Sequence, residues 1–238
     1  MEQTEFKKQY VKEILGINEE FKSIFTFIDF GNVNHWFEED RQDSDHNALP
    51  EGEKLIIDIK KLKEFTNLFS DDTRFYYGHD PANPRSIGFI KVAREFFGKS
   101  RVFTKPIQKI KHYLNNDNDV KANTRDLFQD YEGTFVKIPK CNFDVEMSVD
   151  AIRLMGHYKT FCLLSSDADF VHLARYLKGE EKKIVLIKGG HVIHQLKEIA
   201  DLVVNAQDVK KYIAVNSKDL AVKPGLADSK PESTGRYH

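Results

Sequence analysis

The chain has 238 residues and a formal net charge of −1, with 40% hydrophobic and 12% aromatic residues, eighteen of them Phe. That apolar share fills the core of one sizeable α/β domain or two small ones and excludes disorder over most of the length. The near-zero charge gives no global signal for nucleic acid, although an acidic metal site would cancel basic residues elsewhere in the sum.

The opening stretch, MEQTEFKKQYVKEIL, is too charged for a signal peptide, and no apolar run approaches membrane-spanning length, so a soluble cytoplasmic protein is expected. Phe6, Tyr10 and Ile14 fall at helical spacing and predict a docking helix within residues 1–22. Ser23 to Phe30 is nearly continuous β-former, the mark of a strand covered on both faces. A polar, Asp-rich loop follows from about Glu38 to Glu53. Leu55 to Phe69 reads as a helix with Ile59, Leu62, Phe65 and Phe69 on one stripe. TRFYYGHD (73–80) is a second strand. Phe89, Val92, Ala93 and Phe96 mark a helix closed by Gly98, and Arg101 to Thr104 is a short strand.

From 106 to 140 the chain is polar and reads as an insertion, a helix or hairpin excursion that ends in a strand at Gly133–Ile138. Asp144 to Met155 carries Val145, Val149 and Ile152 at helical spacing. Thr160–Leu164 is a buried strand, and Phe170, Leu173, Ala174 and Leu177 form a helical stripe stopped by Gly179. Lys183–Ile187 is a strand, Gly189-Gly190 a turn, Ile193, Leu196 and Ala200 a helix face, Leu202–Asn205 a last strand and 207–213 a terminal helix. Strands alternating with helices imply right-handed crossovers and a mostly parallel sheet flanked by helices in three layers. Residues 23–214 are expected to be one domain, with 215–238, polar and aperiodic, as a flexible tail.

Asp29 and the pair Asp167 and Asp169 directly follow apolar runs of the buried-strand type. Carboxylates there point into the crevice at the carboxyl ends of the strands. With Asp144 they form an acidic set that Mg²⁺ or Mn²⁺ would neutralise, since both prefer all-oxygen ligands. A lone Asp after a strand is more often a helix cap; Asp-x-Asp with Asp29 and Asn32 is more specific. Gly31 permits a tight turn, and Asn32 adds a polar group without charge.

The segments IDFGNVN, CNFDVEMSVDA and LLSSDADFVHLARYL, taken in order, resemble the NYN domains, the LabA-like branch of the PIN-like nuclease superfamily. The resemblance runs from about Ser23 to Tyr212 and rests on Asp29 and Asn32, on Asp144 with Asp150-Ala151, and on Ser165, Asp167, Asp169 and Phe170. Phe143, Ser166 and Ala168 depart from the family's usual residues, and Lys140 stands one residue further from the central motif than its basic residue usually does. The resemblance implies a PIN-like, Rossmann-like three-layer sandwich and a metal-dependent nuclease, with RNA favoured over DNA as partner and a homodimer in keeping with the pairing of PIN-like domains. It implies Asp29, Asp144, Asp167 and Asp169 as ligands of one or two Mg²⁺ or Mn²⁺ ions, with Asn32 beside them in the catalytic set and Ser165 and Ser166 behind them. Asp144 and Asp150 are six apart, on different faces of a continuous helix. So either Asp144 precedes the helix or Asp150 is a supporting or structural carboxylate.

Other patterns are weaker. Asp29-Phe30-Gly31 lacks every other kinase signature. Asp117-Asn118-Asp119 lacks the glycine and glutamate of a calcium loop. Lys188, before Gly189-Gly190, could meet an anion. Arg85, Lys91 and Lys140 are candidate contacts to a nucleic-acid backbone, and His112, Tyr113 and Phe128 could stack on unpaired bases. Two readings compete with the nuclease: a non-catalytic RNA-binding or regulatory module of the same fold, and a nucleotide-sugar transferase using Asp167-x-Asp169.

Overall fold

In the computed structural model, residues 2–114 and 126–221 are described. The Asp117-Asn118-Asp119 loop and the tail beyond 221 lie outside them. The predicted strands form one sheet: β1 (Ile24–Asp29), β3 (Asp72–His79), β4 (Val102–Pro106), β8 (Thr160–Leu164), β9 (Lys183–Lys188) and β10 (Leu202–Asn205). Their order is β10-β9-β8-β1-β3-β4, and every pairing is parallel. The chain builds outward from β1 through β3 to β4, then returns to lay β8, β9 and β10 on the other side. The reversal between β1 and β8 opens a crevice at their carboxyl ends.

Alternation along each strand splits the core into two layers. Ile24, Ile28, Cys162, Leu164, Val185 and Ile187 face one cluster. Phe27, Phe161, Leu163, Ile184 and Leu186 face the other. The first layer is covered by α1 (Glu2–Leu15), α2 (Phe30–Val33), α3 (Ile59–Thr66), α4 (Pro84–Phe97) and α8 (Ala206–Ile213). The second is covered by α5 (Asp144–Arg153), α6 (Val171–Gly179) and α7 (His194–Ile199). This is the expected three-layer α/β sandwich. Among the described residues no helix is long and apolar enough to cross a membrane.

Three expectations need correction. Leu55–Ile57 is not the start of a helix but a strand, β2, paired antiparallel with β11 (Ala214–Asn216). The buried N-cap Asp58, accepting the Lys61 N–H at 2.9 Å, starts α3 only after it. The same pairing corrects the tail: the chain stays ordered through β11 and a short α9 (Ser217–Ala221), because Leu55 and Ile57 gain strand partners there.

The third correction concerns which stripe of a helix faces inward. On α1, Val11 and Leu15 are buried while Phe6, Tyr10 and Ile14 are exposed. On α5, Met147, Asp150 and Ala151 are buried while Val145, Val149 and Ile152 are exposed. Both helices carry two adjacent stripes, and spacing alone does not choose between them. On α1 the turn at Gly16 (φ +74°) and buried Ile17 press the last turn onto the core. On α5 a polar anchor at Asp150 sets the rotation.

The segment expected as an insertion forms a separate antiparallel sheet, ordered β5-β7-β6, from β5 (Gln108–Tyr113), β6 (Leu127–Asp130) and β7 (Gly133–Lys140).

Candidate active site

Parallel pairing of β1 with β8 aligns Ile28 with Leu164, so Asp29 and Ser165 leave the sheet side by side. The Ser165 hydroxyl donates to Asp29 Oδ2 at 3.0 Å and accepts the Asp167 N–H at 3.1 Å. Asp167 then caps the single turn Ala168–Phe170 by accepting the Asp169 N–H at 3.0 Å. The capping role expected of an Asp after a strand is therefore real. It turns the chain so that Asp167 and Asp169 both face the crevice.

Asp144 arrives from the other direction as the first residue of α5, its N–H donated to Asn142 Oδ1 at 2.8 Å. Asp144, Asp167 and Asp169 each offer a carboxylate oxygen, and these oxygens lie within 4.8 Å of one another. Asp29 stands beside this trio rather than in it. Burial raises its pKa above the usual carboxylate range, the Ser165 hydrogen bond opposes the rise, and the Asp167 charge adds to it. Asp144 is pushed up to about 6, by burial first and then by Asp169 and Asp167.

Asn32 has a different role from the one expected. Its Oδ1 accepts both the Ser166 N–H and the Trp36 indole N–H at 3.0 Å, which ties α2 to the loop after β8. The Ser166 hydroxyl donates to the Gly189 carbonyl, linking that loop to the one after β9. Trp36 lies against Gly189, where any Cβ would overlap the indole ring. Ser165, Ser166 and Asn32 thus hold the aspartate loop from three strands. Sequence reading missed Trp36 and Gly189 in this brace. The available signal was the helical spacing of Asn32 and Trp36 and the presence of a single Trp in the chain. Gly78 was read only as part of the second strand. A Cβ there would lie 2.5 Å from that of Cys141, so Gly78 lets the segment before Asp144 approach the sheet.

Asp150 is not in the site. It is buried and accepts the Tyr76 hydroxyl at 2.8 Å and Arg153 Nη2 at 2.6 Å, with Arg74 Nη1 at 3.7 Å. Of the two alternatives for this helix, Asp150 is the structural carboxylate. Among the basic candidates, Lys188 donates to the Gly190 carbonyl of its own loop at 2.8 Å. Arg85 and Lys91 lie exposed on α4, which packs on β3 and β4. Lys140 is exposed at the end of β7, four residues before Asp144.

The raised carboxyls give a signed pH dependence. Asp144 titrates near 4 when unfolded and at about 6 when folded, so between these values the folded chain binds more protons. The metal-free protein should lose stability as pH rises from about 4 to 6, with no further change from this group above that. Thermal midpoints across pH 4.5–7.5 in EDTA should show this slope for the wild type and a weaker one for Asp144→Asn; equal slopes would contradict it. Added Mn²⁺ should reverse the trend, because ligands must be deprotonated to bind.

Among known proteins, the family model described as NYN domain matches residues 24–208. No curated protein matches the chain. A solved structure with a similar fold is that of a protein of unknown function from Vibrio parahaemolyticus. It is 16% identical, with a TM-score of 0.51, and the match covers 83% of this chain and 99% of that one. The likeness concerns the fold. With the strand order, the crevice and the aspartates in place, the family match identifies the chain as a member of the NYN domain family, within the PIN-like nuclease superfamily.

Proposed function

We propose that the protein is a metal-dependent nuclease that hydrolyses phosphodiester bonds, with RNA as substrate. One observation carries the reading: three carboxylates from two separate segments converge within 4.8 Å, beside a fourth, half-buried, at the end of β1. Such convergence costs folding free energy through repulsion and burial unless a cation offsets it. The all-oxygen donor set fits Mg²⁺ or Mn²⁺. A divalent ion held by Asp144, Asp167 and Asp169 would polarise the scissile phosphate and acidify an attacking water.

The chain's own residues supply the rest. Ser165, Asn32 and Ser166 fix the aspartate loop before substrate arrives, so that little reorganisation is needed in the reaction. Asp29, which stands beside the trio and whose proton affinity burial raises, is the carboxylate suited to take a proton from the attacking water. A transferase with only Asp167-x-Asp169 gives no role to Asp144.

Incubation of the protein with end-labelled single-stranded RNA in Mg²⁺, Mn²⁺ or EDTA tests the reading. Cleavage is expected with either metal and not with EDTA. Intact RNA under every metal, from protein shown to be folded, would overturn it in favour of a non-catalytic module.

A further inference from the structure

The β5-β7-β6 sheet carries a feature that the aspartate site does not use. Its register sets Lys111 opposite Lys137, and Tyr113 and Phe128 on either side of Phe135, all on one face. The rings form a row: Tyr113 and Phe135 are 5.5 Å apart between centroids, and Phe128 and Phe135 are 5.6 Å apart and stacked. The Lys111 ammonium lies 4.7 Å over the Phe135 ring and that of Lys137 lies 4.3 Å over Phe128.

The row belongs to neither hydrophobic cluster of the main core; Phe135 at its centre is buried, while Tyr113 is half-buried and Phe128 remains 37% exposed. Lys111 is paired with Asp130, which also accepts the Tyr113 hydroxyl at 3.0 Å. Lys137 has no carboxylate partner among the described residues.

Rings interleaved with ammonium groups match the two parts of an unpaired strand. Bases offer π faces to Tyr113 and Phe128 at the two sides of Phe135, and a phosphate meets Lys137. A duplex keeps its base faces stacked inside and would leave the rings unused. We propose that this sheet is a docking surface for an unpaired nucleic-acid strand, separate from the aspartates. That the strand continues into the aspartates rests on the nuclease reading; the docking itself does not.

Continuity is built into the chain. Lys140 ends β7, and Asp144 follows after at most ~14 Å of extended backbone. At the base of the sheet, on the face opposite the rings, Gln108, Ile110 and Lys140 border a cleft of about 350 Å³ with Lys105 and Asn142, the last being the residue that fixes the Asp144 N–H.

Fluorescence anisotropy in EDTA, which removes cleavage, tests the docking. The probes are labelled oligo(U), oligo(dT) and a blunt RNA duplex. The variants are Phe128→Ala with Lys137→Glu, and Lys137→Glu alone, an exposed change that leaves the fold intact. The wild type should bind one or both unpaired strands more tightly than the duplex, and the double variant should lose at least about tenfold. Lys7→Glu on α1 makes the same charge change and should leave binding intact. Equal binding by wild type and both variants, tighter binding of the duplex, or equal weakening by Lys7→Glu would each overturn the proposal. Cleavage of RNA by the wild type, assayed separately with Mn²⁺, separates the two readings. Cleavage without any effect of the sheet variants on binding removes the docking surface alone. Variant-sensitive binding without cleavage keeps the surface and removes the nuclease.

Discussion

Asp144→Asn should lower metal-dependent RNA cleavage by at least roughly 10²–10³-fold, the loss typical when one preorganised charge-stabilising group is removed, without lowering the thermal midpoint of the metal-free protein. Both halves follow from the same geometry. Asp144 brings the α5 side of the crevice to Asp167 and Asp169, so its neutralisation leaves the ligand set with one charge fewer. In the metal-free state that charge is a burden, since burial and two neighbouring carboxylates raise its pKa to about 6. An amide removes the repulsion, and the hydrogen bond that starts the helix involves only the backbone N–H of Asp144. Activity should therefore fall while stability holds or rises. A variant with wild-type turnover would remove Asp144 from the site, and one with a clearly lowered apo midpoint would make it structural. Mn²⁺ should also raise the midpoint less in the variant than in the wild type.

Asp167 should behave differently, because it also caps the turn that carries Asp169. Asn is itself a good cap, so Asp167→Asn separates the chemical role from the structural one, whereas Asp167→Ala loses both.

The central strands β1, β8 and β9 were legible because each is a short, largely apolar run, and only a sheet covered on both faces accommodates several of these. The aspartates were legible because strand ends in such a sheet share one edge. What stayed hidden depended on contacts between segments far apart in sequence. Leu55–Ile57 is a strand only because Ala214–Asn216 comes back to it. The exposed stripes of α1 and α5 look as apolar as the buried ones, and neighbours rather than spacing decide which turns inward. Asn32 was expected to face the chemistry for its polarity, yet its side-chain oxygen is engaged by Trp36 and Ser166. The lysine and aromatic residues of β5, β6 and β7 were visible singly, but only the strand register puts them on one face.

Asp150 gives the sharpest separation of framework from chemistry. Asp150→Ala should destabilise the protein by about 3 kcal/mol, the lower end for breaking a buried ion pair, while folded protein keeps its cleavage rate. The carboxylate is 7% exposed and gathers the Tyr76 hydroxyl, Arg153 and Arg74. Without it the Tyr76 hydroxyl is stranded in a ring cluster with Phe103 and Phe143. Arg74 loses a counter-charge in a setting where its side chain is only 14% exposed. The loss stays at the lower end because Arg74 keeps Asp72 at 3.5 Å and the Phe103 ring at 5.5 Å. Burial and the Asp150 hydrogen bond both raise the Tyr76 pKa, so the phenol stays a donor at any working pH and the amide of Asp150→Asn can still accept from it. That variant should recover part of the lost stability, while Ala should not. Urea midpoints for the two variants, set beside cleavage rates normalised to folded protein, decide the matter. A stable Asp150→Ala that no longer cleaves RNA would return Asp150 to the active site. The expected pattern instead makes it a structural carboxylate that ties the middle of α5 to Tyr76 and Arg74 of β3, while Asp144 at the start of the same helix serves the site.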